Sequence, residues 1–361
     1  MASSARTDGV TLATVAKALG VSRTTVSNAY NRPDQLSPEL RERVLEAARE
    51  LGYHGPDPLA RTLRRGTTGA VGVIFDEPLS YAFADPAAVL FLQGIALACE
   101  QVGASVLVVP RSPTNAGHEL IRNALVDGFV VECDAEGDER IDVLAERGLP
   151  FVMVDAPEHP AAPWVGIDDR GTARAAAEHL LALGHRQLGV VALPLSPDGV
   201  EGRASQARQE SARYGVSRDR LAGYRDAVEA AGIEWAHVAV EERWPNGFDA
   251  GARAAAALLD AAPRPTAILA MSDELALGAL HAARQRGIEV PRELSIVGFD
   301  DIPGAARAQP ALTTVRQPNQ EKGEVAARLL LEGAPSNERI ELPAELVVRA
   351  STGPAPRGTA S

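Results

Sequence analysis

The sequence predicts a small all-α head joined to a larger α/β body of two parallel-sheet halves, and three observations predict it. Near the N-terminus, apolar residues recur at helical spacing: Leu12, Val15, Ala16 and Leu19, then Val26 and Ala29. From residue 67 onward, runs rich in Val, Ile and Leu (AVGVIF, SVLVVP, GFVVEC, PFVMVD, WVGID, QLGVVAL, TAILAM, LSIVGFDD) alternate with alanine-rich helical stretches. That is the pattern of buried parallel strands covered by helices, with too many strands for one compact half. Charge divides at the same place. Up to Gly66 there are 10 Lys and Arg against 7 Asp and Glu, a net of +3, and the rest carries 26 against 41, a net of −15. A chain at −12 overall is not coated for nucleic acid along its length, so any polyanion contact belongs to the head.

The elements of the head follow in order. Thr11 caps a first helix, and Gly20 ends it by supplying the freedom a tight turn needs. Ser22 caps a second helix carrying Val26 and Ala29 inward. Ala16 lets two helices cross closely, Gly20 turns the chain four residues on, and Val26 plugs the interface six further on. This is helix-turn-helix spacing. After NRPDQ, Ser37 and Pro38 start a third helix with the apolar stripe Leu40, Val44, Ala47, Ala48 and Leu51. The second helix then faces outward with Arg23, Thr24, Ser27 and Asn28. Arginine pairs with guanine edges, asparagine with adenine, and threonine offers a hydroxyl and a methyl. Ser22, Thr25 and Ser27 suit phosphates, which a helix N-terminus also favours. Thr11, Asn31 and Arg61 complete the expected DNA-contacting set. The alternative is a small helical interaction domain with a polar face.

Next comes GPDPLARTLRRGTTG, where Leu59, Ala60 and Leu63 share a side and Arg61, Arg64 and Arg65 make it basic. Roughly two turns are too few to stand alone in water. The stretch reads as a plain linker or as a helix formed only on binding.

TLATVAKALGVSRTTVSNAYNRPDQLSPELRERVLEAARELGY followed by PLARTLRRG resembles the head and hinge of the LacI family of bacterial transcription regulators, and the similarity runs from about Thr11 to Thr352. The resemblance implies base-reading positions at Arg23, Thr24 and Asn28, and at Leu63 the hinge leucine that wedges into the minor groove at the operator centre. Many members carry arginine where this chain has Asn28, and Gly55 looks like one extra residue before the hinge. The implied domains are a DNA-binding head over 1–54, a hinge over 55–66, and an effector-binding and dimerisation body over 67–352. The body takes a type I periplasmic-binding-protein architecture with crossovers near 168, 316 and 334, and 353–361 form a disordered tail.

Catalytic signatures are missing from the body. No glycine-rich phosphate turn follows AVGVIFDEP, no P-loop is present, and the lone serines lack a nucleophile elbow. His118-Glu119 begins like a zinc-protease helix, but Arg122 stands where the second histidine belongs, so it reads as a solvated face. Cys99 and Cys133 read as two reduced thiols, not a disulfide framework or metal cluster, and no metal or other cofactor is expected. MASSARTDGV lacks an apolar signal core and no run approaches a membrane span, so a cytosolic protein without a membrane partner is expected.

In open α/β sheets ligands sit beyond the carboxyl ends of strands. Glu132, Asp155, Ser272 and Asp300 stand there, Arg220 precedes the helix beginning LAGYRDAV, and Trp244 closes VAVEERW. Carboxylates accept from sugar hydroxyls, arginine donates to ring oxygens, and an indole stacks on a sugar's apolar face. Each residue also has a plain structural reading, as a cap or a packing group. The resemblance places Asp155, Arg220, Trp244 and Asp300 at effector positions of sugar-responsive members, while Glu132 and Ser272 stand where some carry asparagine. The polar stretch at 195–217 is longer than its usual counterpart and is expected to be a disordered insert, with a lid as the alternative.

The resulting expectation is a homodimeric regulator, most often a repressor in this family, that reads a pseudopalindromic operator in double-stranded DNA under the control of a small molecule. A sugar is the expected effector, with purines, sugar phosphates and other metabolites as alternatives, and a tetramer is the alternative assembly. A solute-binding protein shares the body fold but needs a signal peptide and no head. A sugar-processing enzyme needs a paired acid and base that the sequence does not offer.

Overall fold

The computed structural model describes residues 10–55, 66–76, 78–109, 116–132 and 135–356. The chain divides into two compact units, Met1–Thr68 and Gly69–Ser361, a break two residues beyond the one read from the sequence. Arg61, Leu63 and the rest of 56–65 lie outside the described residues, as do Cys133 and residues 357–361.

In the head, α1 (Leu12–Leu19) starts at a reciprocal cap in which Thr11 and Thr14 each accept from the other's backbone N–H. Gly20, at φ 68°, ends it in the left-handed region. Ser22 caps α2 (Arg23–Asn31) by accepting from Thr25 N, and Ser37 caps α3 (Pro38–Glu50) by accepting from Leu40 N. The three helices close on Val15, Ala16, Val26, Ala29, Val44, Ala48 and Tyr53. Leu51 falls outside this core and is exposed, because α3 has ended and its apolar face no longer meets α1 or α2.

The body holds two lobes. The first is a six-stranded parallel sheet in the order β12 (Arg339–Glu341), β5 (Trp164–Gly166), β4 (Phe151–Val154), β3 (Gly128–Glu132), β1 (Ala70–Phe75) and β2 (Ser105–Val109). The second runs β13 (Glu345–Val347), β11 (Thr313–Arg316), β10 (Ser295–Asp300), β9 (Ala267–Ala270), β6 (Leu188–Ala192), β8 (Ala239–Glu242) and β7 (Gly202–Arg203). Its inner strands are parallel, and the edges β7 and β13 are antiparallel. Helix pairs flank the sheets: Pro86–Val102 with Asn319–Glu332, Asp169–Ala182 with Gly215–Ala230, and Phe248–Leu259 with Asp273–Gln285. The first pair crosses at two glycines. A Cβ on Gly94 would stand 1.8 Å from Gln320 O, and one on Gly323 would stand 2.1 Å from Phe91 O, so backbone meets backbone there.

The chain passes between lobes after β5, after β11 and after β12. The last passage occupies 342–344, not the expected vicinity of 334, because Arg339–Glu341 still pairs with Trp164–Gly166 in the first lobe. Two other expectations are corrected. Residues 195–217 are ordered, not a disordered insert. They hold β7, the helix Gln206–Glu210 and the start of Gly215–Ala230, anchored because buried Glu242 accepts from Leu195 N at 2.8 Å and from Arg208 Nη2 at 2.7 Å. Residues 353–355 are not part of a disordered tail: Gly353 N donates to Ser295 Oγ at 3.0 Å and Ala355 N to Leu183 O at 2.9 Å.

Candidate functional site

On the head, burial of Val26 and Ala29 sets which side of α2 meets solvent. Ser22, Arg23, Thr24 and Asn31 are exposed, and Thr25, Ser27 and Asn28 are half-buried. No acidic residue occupies the first turn, which leaves the helix N-terminus attractive to phosphate. Several of the polar groups are already committed. Thr11 and Ser22 spend their hydroxyls on caps, Ser22 Oγ also lies 2.8 Å from Thr25 Oγ1, and Asn31 Nδ2 donates to Ser27 O at 3.1 Å. Asn28 Nδ2 donates to Gln35 Oε1 at 3.0 Å. One amide hydrogen and the Oδ1 of Asn28 remain, the donor and acceptor a bidentate adenine contact uses. Gln35 was not foreseen, since nothing in the sequence marks a 3₁₀ turn as the neighbour of Asn28.

In the body, a cavity of about 120 Å³ lies between the lobes beyond the carboxyl ends of their strands. Five of the six expected effector residues line it: Glu132, Asp155, Arg220, Ser272 and Asp300. Trp244 does not; it is half-buried past the end of β8, and Asn246, two residues on, reaches the cavity instead. Arg220 also sits differently from the expectation. It lies within the helix Gly215–Ala230, not ahead of it, on a stripe with Val216, Ser217, Leu221, Tyr224 and Val228 that faces the interior.

Buried Arg220 is held from several sides. Its Nε donates to Asp169 Oδ1 at 2.8 Å, its Nη1 donates to Met271 O at 2.5 Å, and its guanidinium lies 3.6 Å from the centre of the Phe299 ring. Burial works against its charge, but Asp169 and Asp300 outweigh that and raise its pKa. Burial pushes the Asp300 carboxyl up to about 7 although Arg220 pulls the other way, and the Asp85 charge adds to the rise. Asp300 and Asp155 have positive φ, 123° and 47°, strain that turns each carboxylate out of its strand end.

Two side-chain relays cross between the lobes around the cavity. Ser272 Oγ donates to Asn246 Oδ1 at 2.6 Å, Asn246 Nδ2 to the Tyr81 hydroxyl at 2.8 Å, and Tyr81 to Asp85 Oδ2 at 2.5 Å. In the other, Lys322 Nζ donates to Asp155 Oδ2 at 2.5 Å and to Gln317 Oε1 at 2.6 Å, and Gln317 Nε2 donates to Asp300 Oδ1. Among the described residues, the buried side-chain polar atoms left without a partner are Asp155 Oδ1 and Asn319 Nδ2, and both residues line the cavity. Buried polar groups are nearly always satisfied, and these two are enclosed, Asp155 Oδ1 lying 3.2 Å from where a Cβ on Gly166 would stand.

Sequence reasoning missed Asp76, Tyr81, Asp85, Tyr214, Asn246, Gln317 and Asn319. The strand-end rule that found Asp155 and Asp300 also covers Asp76, which follows AVGVIF. Tyr81 and Tyr214 carry no comparable signal.

The comparisons with known proteins bear on both sites. Residues 5–56 match the family described as bacterial regulatory proteins, lacI family, and residues 177–352 match a periplasmic binding protein-like domain. An HTH-type transcriptional regulator of Mycolicibacterium smegmatis is 44% identical over 329 residues, 89% of this chain and 89% of that protein. The chain belongs to the LacI family of bacterial regulatory proteins. A solved complex of the transcriptional regulator CelR with cellobiose is similar at 30% identity and TM-score 0.68, covering 95% of this chain and 99% of that one. The lac repressor dimer bound to operator and the anti-inducer ONPF is similar at 28% identity and TM-score 0.76, covering 96% and 100%. As a LacI-family member the protein is a DNA-binding transcriptional regulator with a helix-turn-helix head and a two-lobed effector body. Among its described residues no helix is long and apolar enough to cross a membrane.

Proposed function

We propose that the protein acts in the cytoplasm as a homodimeric repressor of a pseudopalindromic operator, released or recruited by a neutral sugar or cyclic polyol. Arg23, Thr24 and Asn28 are the base readers of this reading. Ser22, Thr25, Ser27, Asn31 and the N-terminus of α2 serve the phosphates, and Thr11 holds α1 against them. Arg61 and Leu63 of the hinge complete the operator contact. The operator-bound lac repressor dimer supports the DNA side and the CelR–cellobiose complex supports the sugar side.

The observation that carries the ligand class is the cavity wall. Asp76, Asp85, Glu132, Asp155 and Asp300 line it beside one lining cation, Arg220, with Arg140 and Lys322 paired to Asp76 and Asp155 from behind. A hydroxyl both donates and accepts and so suits carboxylates and a guanidinium together, whereas a phosphate offers only acceptors to a carboxylate-rich wall. Asp155, Arg220 and Asp300 hold hydroxyls in this reading, with Glu132 and Ser272 at the rim of the same set.

The test is thermal unfolding of the full chain with glucose, galactose, ribose, inositol and the corresponding phosphate esters. A ligand that binds only the folded state raises its apparent stability by mass action. A saturable rise is expected with one neutral compound, lost in Arg220→Ala and Asp300→Ala. A phosphate ester that binds more tightly than its parent, or no rise with any neutral compound, would defeat the assignment.

A further inference from the structure

The two asparagines of α2 spend their amides differently, and the difference bears on which base the head reads. Asn31 Nδ2 turns back on its own helix, donating to Ser27 O at 3.1 Å and lying 3.3 Å from Ser27 Oγ. Asn28 Nδ2 instead donates out of the helix, to Gln35 Oε1 at 3.0 Å, seven residues on. Asn28 stands one turn beyond exposed Thr24, so the two share a face of α2.

The main chain under Gln35 is held in place. Gln35 ends the 3₁₀ turn Pro33–Gln35, in which Pro33 occupies the first turn and fixes its backbone angle. Arg32 N donates to Asn28 O at 2.9 Å and Gln35 N to Arg32 O at 3.1 Å, so main-chain bonds tie the turn to the end of α2. Leu36 N donates to Pro33 O at 3.3 Å, and the Leu36 side chain packs against the core of the head. The Gln35 side chain itself is exposed and lies outside that core.

The consequence for recognition follows from the two ends of an amide. An asparagine free to turn about its last bond presents Oδ1 and Nδ2 in either order. It can offer adenine one donor and one acceptor, or offer guanine its N–H groups. Once Gln35 Oε1 takes one Nδ2 hydrogen, the side of the nitrogen is fixed and Oδ1 faces the other way. One order of donor and acceptor is then left. It fits N7 and N6 of adenine, but not N7 and O6 of guanine, which both accept.

We propose that Gln35 is a positioning residue for base reading: it orients the Asn28 amide and so sets a preference for A·T over G·C at the base pair Asn28 contacts. The proposal rests on the reading of Asn28 as a base reader and deepens it. An arginine at the same place presents donors whichever way it turns and needs no such partner.

Substitutions at position 35 separate orientation from charge. Glutamate only accepts, so Gln35→Glu keeps the Asn28 amide as it stands, while its negative charge weakens binding to every sequence. Lysine only donates, so Gln35→Lys claims Oδ1 and turns N–H groups toward the base, while its positive charge strengthens binding to every sequence. The full chain and its Asn28→Ala, Gln35→Glu and Gln35→Lys variants are each selected on duplexes with symmetric randomised half-sites, and the bound DNA is sequenced. The base pair whose preference vanishes in Asn28→Ala is the one Asn28 reads. There the wild type and Gln35→Glu are expected to favour A·T about tenfold or more, and Gln35→Lys to lower that ratio about tenfold. Preferences at the other base pairs should stay as they are. On a scrambled duplex, fluorescence anisotropy should rank Gln35→Lys tightest and Gln35→Glu weakest, the reverse of what a loss of folding would give. An A·T preference that persists in Gln35→Lys, or falls equally in Gln35→Glu, overturns the positioning role and leaves Asn28 a base reader. A wild type that favours G·C there does the same. If no base pair responds to Asn28→Ala, the base-reading assignment and the proposal fall together.

Discussion

Lys322 is one of two lysines in the chain and is 1% exposed, and its replacement by methionine isolates what its charge does. Methionine keeps most of the stem volume and removes the ammonium that links Asp155 Oδ2 at 2.5 Å to Gln317 Oε1 at 2.6 Å. Breaking a buried pair from one side typically costs about 3–5 kcal/mol because the remaining charge stays buried. The Asp155 side chain is 14% exposed, so water relieves part of that penalty, and about 2–4 kcal/mol is the working figure. At the roughly 2 °C per kcal/mol expected of a unit this large, Lys322→Met should lower the melting temperature by about 4–8 °C. The decisive arm is the cycle with Asp155→Asn. If the cost comes from the stranded carboxylate, the double variant should be more stable than Lys322→Met alone, with a coupling of about 1–3 kcal/mol. Thermal and urea unfolding of the four proteins measure it. A loss below about 0.5 kcal/mol for Lys322→Met, or strictly additive losses in the double variant, would refute the reasoning.

The other predictions concern pH and packing. The folded Asp300 carboxyl, pushed up to about 7 by burial, holds its proton where an unfolded one near 4 has released it. Its contribution therefore favours folding at the acid end of the window from about pH 4 to 7 and is lost as pH rises through about 7. Asp300→Asn removes that group, so the melting temperature of the variant relative to wild type should climb between pH 5 and pH 8; a constant difference would contradict the sign. Gly94→Ala places a methyl 1.8 Å from Gln320 O, and separating the two helices should cost about 1–3 kcal/mol in urea unfolding. A neutral or stabilising result would mean that the helices do not cross there.

How far the sequence could be read depends on the range of the interaction involved. Caps, turns and periodicity are local, and Thr11, Gly20, Ser22 and Ser37 fix the helices of the head through contacts within three or four residues. Buried strands are legible from their continuous apolar runs, so β1, β3, β4, β6, β9 and β10 stand out, and strand-end acids such as Asp155 and Asp300 follow from them. Short edge strands such as β7, β12 and β13 escape, because half-exposed strands of two or three residues have no apolar run to announce them. The missed cavity residues share that cause: Tyr81, Tyr214, Asn246 and Gln317 are polar loop or loop-adjacent groups whose partners lie across the lobes. The excess polarity of 195–217 pointed to disorder, and only the tertiary structure supplies the buried Glu242 that satisfies Arg208 and the Glu136 main chain that satisfies Arg213. Trp244 shows the converse, an aromatic at the right strand end that the turn after β8 leaves out of the cavity. Composition and spacing by themselves determined a helix-turn-helix head on a two-lobed α/β body. Which side chains meet in the cavity was decided by the crossings between lobes, since hydrogen bonds between residues more than a hundred positions apart leave no periodic trace in the chain.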